Sequence, residues 1–282
     1  EGEVFGILGP NGAGKPTAIS MICGLLKPTA GRVMVRGKVI TNGDAATRAR
    51  IGVCPQGVVL WGKLTCAEQL QFIGEMYGMR GRDARARGLS LLDALGLSEK
   101  RDKTARTLSG GMQRRLNLAM ALVHDPEILI LDEPEAGLDP QSRVMVRDFI
   151  RSLARRKTVI LTTHNMDEAD RLSDRVAIID HGKLLVVDTP ASLKRTAGEG
   201  DVLEIDIEGG PNEEAIGTLR RIFSAVSVTN HTLIMRNHGA VELLPAVLDA
   251  LRGAGITAGE VRLRSSSLED VFISLTGRRM RE

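Results

Sequence analysis

Short apolar runs and amphipathic stretches alternate over the first two thirds of the chain, and the pattern then changes. Residues 4–8, 51–54, 128–132, 158–162 and 176–179 are runs rich in Val, Ile and Leu, as expected of strands buried on both faces. Between them lie stretches of helical period at 17–26, 110–124, 141–155 and 166–172. A separate helical insertion is expected at about 65–124. Thr65-Cys66-Ala67-Glu68 has the form of a capping box, Leu70, Ile73 and Tyr77 share one face of the helix it opens, and a second helix near 83–95 groups Leu89, Leu92 and Leu95 before Gly96. A short strand at 32–35 precedes a turn at Gly37, and His181-Gly182 turns the chain into a strand at 184–187. Strand and helix in alternation predict a mostly parallel sheet with crossover helices.

A helix beginning at Pro190 closes this first domain, which is expected to span 1–198, and Gly198-Glu199-Gly200 reads as a linker. Beyond it Leu203, Ile205 and Ile207 alternate with Glu204, Asp206 and Glu208, the signature of a half-buried strand. A helix at 215–223, strands at 226–228 and 233–235, a helix at 241–251 and a strand at 261–263 complete a βαββαβ order. Residues 201–282 are therefore expected to form a small α+β domain.

Composition narrows the function classes. With 282 residues, 43% of them hydrophobic, the chain can bury a full core, and no apolar run approaches the ~18 residues of a membrane span. Cys23, Cys54 and Cys66 are odd in number and lack metal-ligand spacing, which suits reduced packing thiols in a cytoplasmic protein. A net charge of +3 with one Trp and one Tyr argues against nucleic-acid binding. The charge is uneven, with 29 Lys/Arg against 23 Asp/Glu before Asp201 and 9 against 12 after it. A basic first domain suits a polyphosphate ligand, although scattered surface charges give the same sum.

Three motifs carry the chemistry. Gly9-Pro10-Asn11-Gly12-Ala13-Gly14-Lys15 joins a strand to a helix, where glycines let successive backbone N–H groups converge on phosphate oxygens and Lys15 adds a mobile positive charge. Leu108-Ser109-Gly110-Gly111-Met112-Gln113 opens a helix with an exposed Ser/Gly N-terminus, and Ile128-Leu129-Ile130-Leu131-Asp132-Glu133-Pro134 ends a buried strand in two carboxylates. The position after Lys15, where a Ser or Thr would offer a hydroxyl to Mg²⁺ and an N–H to phosphate, is Pro16. Proline is tolerated in the first turn of a helix, so the fold need not suffer. Thr17 cannot replace that ligand, because one helical residue turns a side chain about 100° away; it is placed to face the α-phosphate.

In this order and spacing the motifs resemble the nucleotide-binding subunit of an ATP-binding cassette (ABC) transporter, with LSGGMQ as the signature sequence. The tail 267–277 is similar to the C-terminal extension of bacterial drug and antibiotic exporters of the daunorubicin-resistance type. The resemblance implies an α/β P-loop nucleotide-binding domain with a mostly parallel sheet and helical insertion, plus the small C-terminal α+β domain. It implies ATP and Mg²⁺ as ligands, with Gly9, Asn11, Gly12, Ala13, Gly14, Lys15 and Thr17 around the phosphates and Asp132 and Gln56 on the metal. Glu133 is then the general base, His164 the switch histidine touching the γ-phosphate, and Gln56 the residue that also contacts water and couples to the membrane partner. Relatives often carry an acidic residue where Gly57 stands.

The same resemblance makes Ser109, Gly110 and Gly111 the cap over a nucleotide held by an opposing subunit, and Asp139 part of a loop crossing that interface. The implied unit is a head-to-tail homodimer or heterodimer working with membrane-spanning permease subunits, peripheral on the cytoplasmic face of the membrane. Leu60 and Trp61 fit a docking site for a permease helix and internal packing equally well. The other histidines, His124, His181, His231 and His238, fall in loops or at element ends and read as structural. Since the sequence opens at the strand leading into the phosphate loop, an upstream antiparallel sheet with an adenine-stacking aromatic is expected to belong to a longer chain. Two other classes account for less. A hydrolysis-impaired regulatory subunit has only Pro16 in its support, against Glu133 and His164, and a soluble ABC protein acting on DNA or ribosomes would bring a long coiled-coil insertion or a second cassette.

Overall fold

β1 (Val4–Leu8) is apolar throughout and passes through the glycine-rich turn into α1 (Lys15–Ile22). The computed structural model describes residues 1–40, 45–196, 201–208, 213–223, 225–229, 231–237 and 239–277; the expected linker at 198–200 and His238 lie outside them. α1 ends earlier than the predicted 26. Gly24 takes a φ of 69°, and the N–H groups of Leu25 and Leu26 turn back onto the Ser20 carbonyl, which unwinds the helix there. The strand expected at 32–35 contracts to β2 (Met34–Val35) paired with β3 (Lys38–Val39) across the turn at Gly37. One helical turn, α2 (Ala45–Arg48), leads into β4 (Ile51–Cys54).

α3 (Cys66–Met76), α4 (Gly81–Ala94) and α5 (Gly110–Leu122) form the insertion. The Thr65 hydroxyl accepts from the Glu68 N–H while the Glu68 carboxylate accepts from the Thr65 N–H, so the expected capping box forms; such a cap contributes about 1 kcal/mol. Leu70, Leu92, Leu95 and Leu116 fill the seam between the three helices and join the apolar layer beneath the sheet.

β5 (Ile128–Asp132), α6 (Pro140–Leu153), β6 (Thr158–Thr163), α7 (Met166–Leu172), β7 (Arg175–Asp180) and β8 (Lys183–Asp188) complete the first unit, Glu1–Thr189. The sheet order is β4-β5-β6-β1-β7-β8, and every pair is parallel except β7 with β8. Its middle strands are buried on both faces: Leu129, Leu131, Val159 and Leu161 are inaccessible to solvent, each contributing about 1.5–3 kcal/mol through burial. Register sets the site. Cys54 lies beside Leu131, Asp132 beside Thr162 and Thr163 beside Leu8, so β4, β5, β6 and β1 end level at one carboxyl edge, where open α/β sheets place ligands.

The second unit runs from Pro190 to Met280. It begins with α8 (Pro190–Thr196), so the helix expected to close the first domain belongs to the second unit instead. Then come β9 (Asp201–Ile207), α9 (Glu213–Ile222), β10 (Ala225–Thr229), β11 (Thr232–Asn237), α10 (Ala240–Gly253), β12 (Ala258–Ser265) and α11 (Leu268–Thr276). The strands form an antiparallel sheet in the order β10-β11-β9-β12. Leu203, Ile205, Leu233 and Met235 pack with Leu219, Val247 and Leu251 of α9 and α10, as the alternation along β9 predicts. Asp270 of α11 is buried and accepts from Arg236 and Arg264. Burial alone would push its carboxyl up, but Arg264 and Ser267 bring it down to about 2. All three cysteines are buried free thiols, and no described helix is long and apolar enough to cross a membrane.

Candidate nucleotide site

The turn after β1 is shaped by two glycines. A Cβ on Gly9 would lie 2.5 Å from the Ile179 carbonyl oxygen, and Gly14 takes a φ of 103° as the left-handed cap of α1. Lys15 is buried, and its Nζ donates to the carbonyls of Gly9 at 2.6 Å and Pro10 at 3.3 Å. Desolvation pushes the lysine pKa below its ordinary value, while Glu133, at 3.8 Å, and Asp132 pull it back. Asn11, Gly12 and Thr17 are exposed, and Ala13 is buried with its carbonyl accepting the Gly182 N–H at 3.0 Å. Pro16 sits exposed in the first turn of α1 and disturbs nothing: its carbonyl accepts the Ser20 hydroxyl at 2.8 Å.

Three further loops meet at Glu133. This buried carboxylate has His164 Nδ1 at 2.7 Å from Oε1, and Gln56 Nε2 donates to Oε2 at 3.0 Å. Its backbone holds a φ of 48°, left-handed space that costs a non-glycine residue about 1–3 kcal/mol. Asp132 is half-buried and accepts the Thr162 hydroxyl. Lys15, Gln56, Asp132, Glu133 and His164 are thus brought together from the loops after β1, β4, β5 and β6. A buried ammonium under a glycine turn fits the phosphates of a nucleotide. A protein-held divalent ion fits poorly: Asp132 and the Gln56 amide oxygen remain, Pro16 offers nothing, and among the described residues no cluster of three His, Cys, Asp or Glu could hold a metal.

Ser109, Gly110, Gly111 and Asp139 form a second group. The Ser109 hydroxyl accepts the Met112 N–H at 3.3 Å and caps α5, and the Asp139 carboxylate accepts the Ser142 N–H at 2.9 Å and caps α6. A Cβ on Gly110 would meet only open space, whereas one on Gly111 would come within 2.7 Å of the Ser142 hydroxyl and 3.2 Å of Asp139. Glycine at 111 therefore answers to α5 packing against α6, while glycine at 110 leaves an open surface.

Several residues at the site escape inspection of the sequence. Arg114, buried on α5, donates to the main-chain carbonyls of Pro55, Gln56, Asp132, Glu133 and Pro134. In the sequence it is one of two adjacent arginines after Gln113, with nothing to set it apart from Arg115. Glu168 accepts the Thr163 hydroxyl at 2.6 Å and the Glu135 N–H at 3.3 Å, and Arg147 forks onto Glu135. Burial raises the Glu168 pKa to about 7; the Thr163 hydroxyl opposes the shift, and Glu135 and Glu133 add to it. Leu60 packs against the core, but Trp61 remains 41% exposed, edge-on to the exposed Phe72 at 5.3 Å. His124 stacks flat on Tyr77 at 3.7 Å.

The ABC transporter family profile matches residues 1–136. A linearmycin resistance ATP-binding protein of Bacillus subtilis is 38% identical over all of this chain and 92% of its own length. A daunorubicin resistance ATP-binding protein of Streptomyces coeruleorubidus is 40% identical over all of this chain and 90% of its own length. Among solved structures, a dimeric ATP-binding cassette in a post-hydrolysis state with ADP and Pi is 29% identical, with a TM-score of 0.61 over 67% of this chain and 86% of that one. With a mostly parallel sheet whose carboxyl edge gathers a buried lysine, a glutamate and a histidine, and with relatives that match over the whole of this sequence, the chain belongs to the ABC transporter family as an ATP-binding ATPase subunit.

Proposed function

We propose that the chain powers an exporter from the cytoplasmic face of the membrane, as one half of a head-to-tail pair with a second ATPase subunit. ATP sits with its phosphates over Gly9–Lys15 of one subunit and under Ser109-Gly110-Gly111 of the other. Lys15 leaves the loop carbonyls for the β- and γ-phosphates, and Thr17 lies toward the α-phosphate. Glu133 orients and polarises the water that attacks the γ-phosphate in line, with His164 and Gln56 fixing its two oxygens. The observation that carries this reading is the meeting of Lys15, Gln56 and His164 around one buried carboxylate.

Closure of the pair on ATP and its reopening after hydrolysis would move the permease subunits. The exposed apolar residues Val58, Val59 and Trp61, which follow Gln56 in sequence, and Phe72 against Trp61 support the docking of a permease segment there. The drug-resistance names of the relatives support an exporter. Sedimentation of Glu133→Gln combined with Pro16→Ser tests the pairing. The expected result is a dimer with Mg-ATP and a monomer with ADP; a protein that stays monomeric at saturating ATP sinks the head-to-tail arrangement.

A further inference from the structure

We infer that Arg114 is a positioning residue that couples the signature helix to the subunit's own Glu133 and Gln56. The inference rests on the head-to-tail reading above. Gly110, on the open N-terminal turn of α5, stands where a nucleotide held by the opposing subunit would be capped, and Arg114 follows it by four residues, one turn further along the same face. From there the guanidinium reaches two other segments at once: Nη1 donates to Pro55 and, at 2.9 Å, to Gln56, while Nη2 donates to Asp132 at 2.7 Å and Glu133 at 2.9 Å. Nε approaches the Pro134 carbonyl at 3.4 Å.

Two physical features make this more than packing. The carbonyl of Glu133 belongs to a residue at a φ of 48°, a conformation that persists only where its surroundings enforce it. The five acceptors are main-chain groups that a buried planar fork can satisfy together, and a lysine, with one compact ammonium, cannot span both segments. Any tilt of α5 as it closes over the opposing nucleotide moves the guanidinium, and with it the carbonyls on either side of Glu133 and the start of the Gln56 loop. Each subunit's base would then reach its working geometry only when its own signature is engaged, so the two nucleotides are hydrolysed interdependently.

Arg114→Lys and Arg114→Met test this in the full chain, with Pro16→Ser present in every protein compared. The hydrogen bonds of Arg114 among the described residues go to the loops after β4 and β5 and not to the phosphate loop, so binding of a fluorescent ATP analogue is expected to change less than roughly twofold. The turnover number should fall at least roughly tenfold, and the Hill coefficient for ATP should drop from about 2 toward 1, with Lys restoring neither. Folded variants that keep turnover and cooperativity overturn the inference, as does loss of ATP binding in parallel with activity, which would mark Arg114 as a fold residue only. A parent protein without ATPase activity would count against the proposed function rather than the coupling. In that case, or if neither variant folds, hydrogen exchange on the parent decides: ATP should protect residues 56–60, 132–138 and the first turn of α5 together, and independent protection of these segments overturns the coupling.

Discussion

At the residue scale Pro16 and Glu168 make opposite points. Pro16 costs the fold nothing, since it sits in the first turn of α1 where proline is tolerated, yet it withholds a hydroxyl and an N–H from the turn over which we propose that the nucleotide phosphates sit. Pro16→Ser should raise Mg-ATP hydrolysis at least roughly tenfold, or ~1.4 kcal/mol of transition-state stabilisation; equal rates for the two proteins would refute that account of position 16. Glu168 carries its cost inside the fold. Its pKa is raised from 4.5 to about 7, so the folded state holds a proton that the unfolded state has released. Its contribution to stability is full below pH 4.5 and is lost as pH rises through about 7. Glu168→Gln should therefore stabilise the protein at pH 8 by up to about 3 kcal/mol and leave it little changed at pH 4.5. Urea unfolding at the two pH values checks this, and an equal difference at both would contradict it.

Adjacent glycines separate two functions at the scale of elements. α5 presses its second residue against the start of α6, and its first residue faces outward. Gly111→Ala should push Ser142 and Asp139 aside and cost about 1–3 kcal/mol by overpacking. Gly110→Ala meets open space and trades a flexible residue for a better helix former, so stability should hold or rise by about 0.4–1 kcal/mol while ATP turnover falls. Thermal unfolding and ATPase assays on both variants check the pair. If Gly110→Ala leaves turnover untouched, the open surface is not a nucleotide cap.

For the whole molecule the division at Thr189 and Pro190 matters most. The parallel sheet is complete at β8, and every residue assigned to phosphate chemistry precedes it. We propose that the second unit, with its own apolar core and its buried Asp270–arginine cluster, serves assembly or regulation. A chain ending at Thr189 should bind ATP within roughly threefold of the full protein if the first unit folds alone. Circular dichroism establishes folding, and a folded truncation that no longer binds ATP would show that the second unit contributes to the site.

Element order, the alternation that makes a parallel sheet, the capping box at Thr65 and the three phosphate motifs were legible in the sequence, because each is written in local periodicity or in residues adjacent along the chain. The candidate residues at 15, 56, 132, 133 and 164 could be named one by one. That Lys15, Gln56 and His164 surround the single carboxylate of Glu133 followed only from strand order and register, which bring the ends of β1, β4, β5 and β6 level. The end of α1 at Ile22 is set by the local turn at Gly24, and the membership of α8 in the second unit by tertiary contacts, neither of which helical periodicity encodes. Arg114 shows the limit most clearly. Its partners are main-chain carbonyls, which are the same at every residue and leave no trace in side-chain spelling, so its role appears only once folding places α5 against two distant loops.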